Sequence, residues 1–339
     1  MRVAIVNDLP MAVEGLSRVI SASNNNQVAW TAWNGVEAVN HCAEDVPDLI
    51  LMDLIMPEMD GVEATDKIMQ STPCPILIVT ASVGMNSGLV FEAMGKGAID
   101  AISTPLFNGS EENRDSETLL RKVSMIEVLT RPVKHSRELK QRAHLSSAIG
   151  SNNLVVIGSS SGGPEALATV LRGLPVDFQA AVVVVQHVDA QFSEGLANWL
   201  DQQTELNVRL AKEGDKPSKG EVLLAGTDDH LIMNKHGLLE YQVEPKDMPY
   251  RPSVDVFWRS LCEYGVGNMT AVLLTGMGRD GAQGMLELKK QGAHTIVQSE
   301  KSCAVFGMPK AALDINAAVD VLEVEEISKA LYSKYKKSR

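Results

Sequence analysis

The sequence predicts an α/β protein of two domains, each built on a doubly wound, mostly parallel sheet. Two observations carry this prediction. Short apolar runs alternate with amphipathic segments of helical period along residues 1–130, and a second alternation of the same kind fills residues 152–339. Between them, residues 131–151 are polar, basic and without apolar periodicity, so we predict an interdomain linker there.

The first domain opens with the apolar run "VAIV" and contains four more, "QVAWTAW", "LILMD", "ILIVTA" and "DAIST". Amphipathic segments such as "MAVEGLSRVI" and "GVEATDKIMQ" lie between these runs, and "SETLLRKVSMIEVLT" follows the last one. Strands that alternate with helices pair in parallel. We therefore expect a five-stranded parallel sheet with helices on both faces.

The second domain repeats the alternation with different runs: "LVVIG", "QAAVVVVQH", "EVLLAG", "HLIM", "MTAVLLTG" and "AHTIVQ". Helical segments separate them, which again predicts a doubly wound, mostly parallel sheet. We expect an antiparallel edge around residues 220–243.

The composition excludes several classes of protein. Hydrophobic residues make up 45% of the 339 residues, yet no apolar run reaches the roughly 18 residues of a membrane span, so we expect no membrane insertion. The N-terminus is a poor signal peptide and a good first strand. A formal charge of −12 argues against nucleic acid as the main ligand. The four cysteines lie far apart, which argues against zinc and a disulfide framework and indicates a reducing cytoplasm.

Polar residues follow or end three strands of the first domain. Asp8 follows the first strand, Asp53 ends the third and Thr80 ends the fourth. Because ligands bind beyond the carboxyl ends of parallel strands, we expect these side chains to form one site. Two carboxylates suit Mg²⁺, and a hydroxyl could bind a phosphoryl oxygen. The alternative is that both aspartates cap the helices that follow them.

The stretch "IGSSSGGP" separates a strand pattern from a helix pattern in the second domain. A flexible linker would not stand between a strand and a helix, a P-loop would need a lysine, and a dinucleotide-binding turn would need G-x-G-x-x-G. Residues 158–162 fit G-x-S-x-G with Ser160 at the centre, which indicates a nucleophile on a strand-to-helix turn. Exposed backbone N–H groups at this turn could stabilise an oxyanion. Since Gly and Ser are common, the motif alone is weak.

A serine nucleophile needs a base, and the base needs an orienting group. His187 closes the next strand, and Asp280 lies in a Gly-rich turn after the strand that ends at Thr275. Alone, the histidine is explained as a surface residue and the aspartate as a helix cap. Together with Ser160 they converge on one sheet edge and predict a Ser-His-Asp triad. The chain order differs from the Ser, acid, His order of α/β-hydrolases, so we expect the triad on a Rossmann-like sheet.

The first domain resembles the receiver domain of two-component response regulators, a flavodoxin-like fold, through "NDLPMAVEGL", "DLILMDLIMPEMDGVEAT" and "ILIVTAS". The resemblance implies that Asp53 is the phosphoacceptor, that Asp8 and Asp53 bind Mg²⁺, and that Thr80 is the switch hydroxyl. Three positions depart from the receiver pattern: Thr104 stands in the slot of a lysine, Ala101 in that of an aromatic residue and, as a milder change, Asn7 where an acid is common. The usual switch therefore cannot work in its usual form.

Residues 153–335 resemble the catalytic domain of the CheB family of chemotaxis methylesterases. The motifs "IGSSSGGPEAL", "VVQHV", "RPSVDVFW", "TGMGRDGAQGM" and "FGMPKAA" carry the resemblance. It implies Ser160 as nucleophile, His187 as general base and acid, and Asp280 as the group that orients the histidine. The residues near the oxyanion would be Ser161, Gly162 and Met277.

For the whole chain, this resemblance implies a phosphorylation-regulated esterase that hydrolyses glutamate 5-methyl esters on methyl-accepting chemotaxis receptors. It also implies deamidation of receptor glutamines, a CheA-type histidine kinase as phosphodonor, Mg²⁺ for phosphorylation and no cofactor for the esterase. The departures in the first domain and "VNDLPMAVE" resemble the branch of non-flagellar, surface-sensing type systems. The alternative is a non-catalytic response-regulator binding module, against which the intact triad speaks.

Overall fold

A computed structural model describes residues 1–23, 25–81, 83–105, 112–130, 153–246, 248, 250–264 and 267–336. The chain divides into two compact units, Met1–Lys134 and His135–Arg339. The predicted linker, residues 131–151, lies outside the described residues. The domain limits drawn from the sequence therefore stay a prediction.

The first unit contains the predicted five-stranded parallel sheet. Its strands are β1 (Arg2–Val6), β2 (Gln27–Ala32), β3 (Leu49–Met52), β4 (Ile76–Thr80) and β5 (Asp100–Ser103). They pair in the order β2-β1-β3-β4-β5, which is the doubly wound order of flavodoxin-like folds. β3 and β4 are buried along their whole length, as expected for strands that helices cover on both faces. The strand order reverses between β1 and β3, which places Asp8 and Asp53 at the ends of neighbouring strands.

Residues that favour a helix start, such as proline in the first turn or an aspartate cap, lie where helices of this unit begin. Those helices are α1 (Pro10–Ser21), α2 (Gly35–Glu44), α3 (Gly61–Ser71), α4 (Val83–Gly95) and α5 (Glu112–Thr130). Leu9 precedes α1, whose first turn contains Pro10, and Asp60 caps α3 by accepting a hydrogen bond from the Glu63 amide. Other residues thus occupy the cap positions of α1 and α3, so the capping alternative for Asp8 and Asp53 is wrong.

The second unit contains a seven-stranded sheet and a separate hairpin. The strands are β6 (Leu154–Ser159), β7 (Ala181–Gln186), β8 (Asn207–Leu210), β9 (Glu221–Leu224), β10 (His230–Met233), β11 (Leu239–Gln242), β12 (Met269–Leu273), β13 (His294–Gln298) and β14 (Asp320–Leu322). The large sheet has the order β14-β13-β12-β6-β7-β9-β8, and its strands pair in parallel.

The antiparallel edge expected around residues 220–243 is not part of the large sheet. β10 and β11 pair with each other in antiparallel fashion and form a two-stranded sheet of their own. β9, which falls in the same region, pairs in parallel with β7 and β8. The sequence therefore located the antiparallel pair correctly but attached it to the wrong sheet, because β10 packs against a helix instead of extending the edge.

The helices of the second unit form two groups. They are α6 (Gly163–Arg172), α7 (Ala190–Gln203), α8 (Val254–Tyr264), α9 (Ala282–Lys290), α10 (Met308–Asp314) and α11 (Val324–Tyr335). α6 contacts α7 and α11, whereas α8 contacts α9 and β10. Phe257 and Trp258 of α8 are fully buried in the core below the hairpin. This packing fixes the position of the N-terminus of α8.

The sequence patterns did not predict β8 and β14, the two outermost strands of the large sheet. Each has at most four residues and is only partly buried, so neither shows a continuous apolar run. Within the described part of the chain, no helix combines the length and the apolar character needed to cross a membrane.

Candidate active site

Ser160 lies in the turn between β6 and α6, as the sequence predicts. β6 ends at Ser159, and Gly162 precedes α6 with a φ of 73°, a left-handed conformation that glycine adopts without strain. Ser160 is only 7% exposed, and its backbone amide donates to the carbonyl oxygen of Thr275 at 3.1 Å. That amide is therefore engaged, so a backbone donor that this turn offers to an oxyanion must come from a later residue.

Neighbouring strands hold the backbone of the turn in place. The Nε2 group of Gln186 donates to the carbonyl oxygen of Ser160 at 2.9 Å, and the Thr275 hydroxyl donates to that of Ser161 at 3.0 Å. A Cβ atom at Gly163 would stand 2.0 Å from Oε1 of Gln186, which only glycine avoids. The turn that carries Ser160 is therefore anchored on both sides before any substrate arrives.

His187 follows β7, beside the nucleophile turn. Ser159 is paired with Gln186 in the β6–β7 register, so the next residues along, Ser160 and His187, are neighbours. Nε2 of His187 lies 2.8 Å from Oδ2 of Asp280. Among the described residues, Nδ1 of His187 has no hydrogen-bond partner although it is buried. The ring thus has one nitrogen held by a carboxylate and one that can accept a proton.

Asp280 lies in the glycine-rich turn after β12 and accepts hydrogen bonds on both carboxylate oxygens. Besides His187, the donors are the Ser253 hydroxyl at 2.8 Å and the backbone amides of Val254 at 2.7 Å and Asp255 at 3.0 Å. Burial by itself would raise the pKa of Asp280, but the hydrogen bonds from His187 and from these amides hold it below its ordinary value. The carboxylate is therefore ionised and fixed against the N-terminus of α8.

The other residues expected near the oxyanion lie around the same turn. Ser161 and Met277 are buried, and Gly162 begins the approach to α6. A Cβ atom at Gly276, next to Met277, would stand 2.8 Å from Cβ of Ser160. The structure thus brings the turns after β6 and β12 into direct contact, with all three predicted residues on them.

In the first unit, Asp53 and Asp8 face one another at the carboxyl edge. Oδ2 of Asp53 accepts from the side-chain amide of Asn7 at 2.9 Å, and Oδ1 accepts from the backbone amide of Leu54 at 2.7 Å. Burial raises the pKa of Asp53 to about 6; the Leu54 hydrogen bond opposes this rise and the charge of Asp8 adds to it.

Thr80 and Thr104 lie on neighbouring strands of the same edge. The backbone amide of Thr104 donates to the carbonyl oxygen of Thr80 at 2.9 Å. Thr80 is buried, and Thr104 follows β5 in the slot predicted for the phosphoryl contact. Lys122 of α5, a cation near this strand, pairs with Asp100 at 2.7 Å at the opposite end of β5.

The residues of this edge fit a Mg²⁺ ion. A buried carboxylate whose pKa is raised by a second carboxylate is relieved by a divalent cation, and Mg²⁺ binds through one or two carboxylates and several waters. The side-chain oxygen Oδ1 of Asn7 accepts from the Leu9 backbone amide at 2.9 Å, so the carboxylate oxygens of Asp8 and Asp53 are the ones offered to the ion. In the described ranges, no group of three or more His, Cys, Asp or Glu residues could hold a metal ion.

Comparison with known proteins places this geometry in a family. Residues 155–331 match the CheB methylesterase family, and residues 3–110 match the response regulator receiver domain. The chain belongs to the CheB methylesterase family. The α/β architecture with its receiver domain and the predicted resemblance are thereby confirmed.

Full-length relatives cover nearly the whole chain. The protein-glutamate methylesterase/protein-glutamine glutaminase 1 of Pseudomonas fluorescens is 51% identical over 331 residues, 98% of each chain. The corresponding protein 1 of Burkholderia lata is 50% identical over 329 residues, 97% of each chain, and that of the Pseudomonas putida group 3 operon is 50% identical over 328 residues. The CheB methylesterase catalytic domain of Thermotoga maritima, a solved structure, is similar with 36% identity and a TM-score of 0.53 over 54% of this chain and 99% of that chain.

Sequence reasoning missed several residues that build the candidate site. Ser253 belongs to the "RPSVDVFW" motif, for which the sequence predicts no contact with the triad; it is fully buried, and its hydroxyl donates to Asp280 and accepts from the Val256 amide at 3.3 Å. The sequence pattern indicates Thr275 only as the end of a strand, and it predicts no role for Gln186. A hydroxyl or amide in a fully apolar strand is a signal, because a buried polar group must find a partner.

Proposed function

We propose that this chain is a phosphorylation-regulated protein-glutamate methylesterase that hydrolyses glutamate 5-methyl esters on methyl-accepting chemotaxis receptors. One observation carries the proposal: Asp280 holds Nε2 of His187, the other ring nitrogen is buried without a hydrogen-bond partner among the described residues, and the β6–β7 register makes His187 a neighbour of Ser160 in the sheet. Full-length relatives named protein-glutamate methylesterase/protein-glutamine glutaminase support the choice of substrate.

In the proposed first half-reaction, Nδ1 of His187 takes the proton of the Ser160 hydroxyl as its oxygen attacks the ester carbonyl. Asp280 stabilises the imidazolium that forms. Backbone amides around Ser161, Gly162 and Met277 supply the donors for the tetrahedral oxyanion, since the Ser160 amide is bound to Thr275. The imidazolium then returns its proton to the leaving oxygen, and methanol departs.

In the second half-reaction, His187 removes a proton from water, which attacks the acyl-enzyme carbonyl. The serine oxygen leaves with the proton from the imidazolium, and the receptor keeps a free glutamate. A glutamine amide follows the same route with ammonia as the leaving group, which is the proposed deamidation. Both reactions use side chains and backbone of this chain, so we propose no cofactor for the esterase.

The first unit is the proposed input. A CheA-type histidine kinase would transfer a phosphoryl group to Asp53, with Asp8 and Asp53 as the Mg²⁺ ligands. When bound, Mg²⁺ would neutralise charge between the carboxylates and the incoming phosphoryl group. Thr80 is the proposed switch hydroxyl, and Thr104, which has no charge, takes the position of the usual lysine. The receptors' cytoplasmic bundles and the kinase place the protein in the cytoplasm.

The decisive experiment measures methanol release from receptor membranes that carry labelled glutamate methyl esters. The full-length chain should release methanol, and Ser160→Ala should not. If the full-length chain binds these membranes but releases no methanol, the alternative function, a non-catalytic binding module, is correct. Assignment to the branch of non-flagellar systems stays a prediction that rests on the sequence alone.

A further inference from the structure

Tyr250 stacks face to face on the ring of His187. The ring centroids are 4.3 Å apart and the planes differ by 5°. Tyr250 lies in the segment between β11 and α8, two residues before Pro252, and is half-buried. Nothing in the proposed proton transfer uses this tyrosine, yet it covers a whole face of the proposed base.

The geometry of His187 explains why a second support matters. The hydrogen bond from Nε2 to Asp280 fixes one atom of the ring but leaves the ring able to pivot about the Cβ–Cγ bond. A pivot moves Nδ1, which the described residues leave without a partner. A parallel aromatic face restricts rotation out of the ring plane, so the hydrogen bond and the stack together define the position of Nδ1.

The segment that carries Tyr250 is itself anchored. His230 is fully buried, and its ring binds the backbone both before and after Tyr250. Nε2 lies 3.1 Å from the carbonyl oxygen of Pro245, and Nδ1 accepts from the Ser253 amide at 3.1 Å. One neutral tautomer satisfies both bonds, with Nε2 as the donor. Ser253 also binds Asp280, so the same short segment holds both supports of His187.

The turn after β12 leaves room for the tyrosine. Gly278 has a φ of 87°, and a Cβ atom there would stand 2.9 Å from the hydroxyl oxygen of Tyr250. A side chain at this position would therefore press against the tyrosine. The glycine-rich turn that presents Asp280 is thus also shaped to accept the ring that stacks on His187.

We propose that Tyr250 is a positioning residue for the base of this reaction, acting through the face of its ring on His187. The ring holds Nδ1 toward Ser160 and keeps water from the imidazole face. An aromatic face also attracts the imidazolium that forms during proton transfer. This inference rests on the proposed function, because it assigns a role within the same site.

The test uses the full-length chain and receptor membranes that carry labelled methyl esters. Tyr250→Phe keeps the stacked ring and should retain kcat/KM within about twofold, whereas Tyr250→Gln removes the ring and should lower kcat by about tenfold to a hundredfold with little change in KM. Tyr250→Leu, an apolar substitution, should behave like Tyr250→Gln, so a folding failure in one variant leaves the other. Tyr332 is an exposed tyrosine on α11, so Tyr332→Leu is the matched control and should keep the parent rate.

A spectroscopic measurement separates positioning from a general structural effect. The proton between Nε2 of His187 and Asp280 should give a downfield ¹H resonance that is absent from His187→Gln. Its exchange with water should be slow in the parent and in Tyr250→Phe, and several-fold faster in Tyr250→Gln. A purely structural role for Tyr250 would lower the unfolding temperature without this selective change.

Three results would overturn the inference: full kcat in Tyr250→Gln, an equal loss in Tyr250→Phe, or a loss in Tyr250→Gln with unchanged proton exchange. Ser160→Ala distinguishes this failure from failure of the proposed function. If Ser160→Ala is inactive and Tyr250→Gln is fully active, only the role of Tyr250 is wrong. If Ser160→Ala retains the parent rate, the proposed function itself is wrong.

Discussion

The His187 ring lies 2.8 Å from the carboxylate of Asp280, and that carboxylate also binds the first backbone amides of α8. The base is therefore positioned by a helix N-terminus, whose amides and dipole favour the ionised acid. A second pair, His294 and Asp320, has nearly the same separation, 2.7 Å, but both side chains are substantially exposed. The two pairs allow the site to be tested against a matched pair in the same unit.

Replacing Ser160 with alanine should lower ester hydrolysis by at least about a thousandfold, because it removes the oxygen that forms the acyl-enzyme in the proposed mechanism. The side chain is small and makes no hydrogen bond that the turn requires, so the unfolding temperature should stay close to that of the parent. Methanol release and thermal unfolding measure the two effects. A variant that kept a tenth of the parent rate would show that Ser160 is not the nucleophile.

Asp280→Asn should lower kcat by about ten thousandfold, because an amide favours the wrong tautomer of His187. It should also destabilise the fold by about 1–3 kcal/mol, since the donors around the carboxylate lose acceptors. Asp320→Asn is the control and should leave kcat unchanged.

The stability effect of Asp280 should depend on pH. The pKa of Asp280 is lowered in the folded state, so its contribution to stability is present above the ordinary carboxyl value of 3.8 and is lost as the pH falls through the lower folded value. Urea unfolding of parent and variant at neutral and acidic pH measures this difference. A difference that grew on acidification would contradict the assignment.

Asp53→Asn should stabilise the first unit at neutral and alkaline pH. Because burial raises the pKa of Asp53 to about 6, the folded state carries a cost that is complete above pH 6 and vanishes below the ordinary value of 3.8. We expect a gain of about 1 kcal/mol at pH 8, after allowance for solvent screening, and none at pH 3.5. Asp60→Asn, at the exposed cap of α3, should show no such pH dependence.

Phosphorylation should raise the esterase rate of the full-length chain. The predicted linker is only about 20 residues long, which keeps the receiver at high effective concentration near the catalytic unit. If the receiver covers the turns that carry Ser160 and His187, a small phosphodonor with Mg²⁺ and deletion of residues 1–150 should both raise the rate, and Asp53→Ala should block only the first effect. A chelator should abolish the stimulation and leave the basal rate intact. A deletion that lowered the rate would instead indicate that the receiver serves for docking.

The architecture and the position of the candidate site could be predicted from the sequence alone. The central strands β3, β4, β6 and β7 are mostly apolar and buried along their whole length, as helices on both faces of a sheet demand. Asp53 follows β3 of the first sheet. Ser160, His187 and Asp280 follow β6, β7 and β12 of the second, and parallel pairing brings the residues after these strands to one edge of that sheet. The apolar runs alternate regularly with helical segments, and the polar residues follow these runs closely along the chain. Both signals are local in sequence, so they can be recognised without the fold.

The contacts that support those side chains depend on tertiary packing. Tyr250 and Ser253 come from a segment that no periodic pattern connects with His187, and they meet it because α8 packs its buried Phe257 and Trp258 into the core. The hairpin β10–β11 is separate from the large sheet because β10 packs against α8, which is also a contact between distant elements. Contacts between residues distant in sequence depend on how whole elements pack, and the packing of several buried faces at once leaves no signature in any single stretch of the chain.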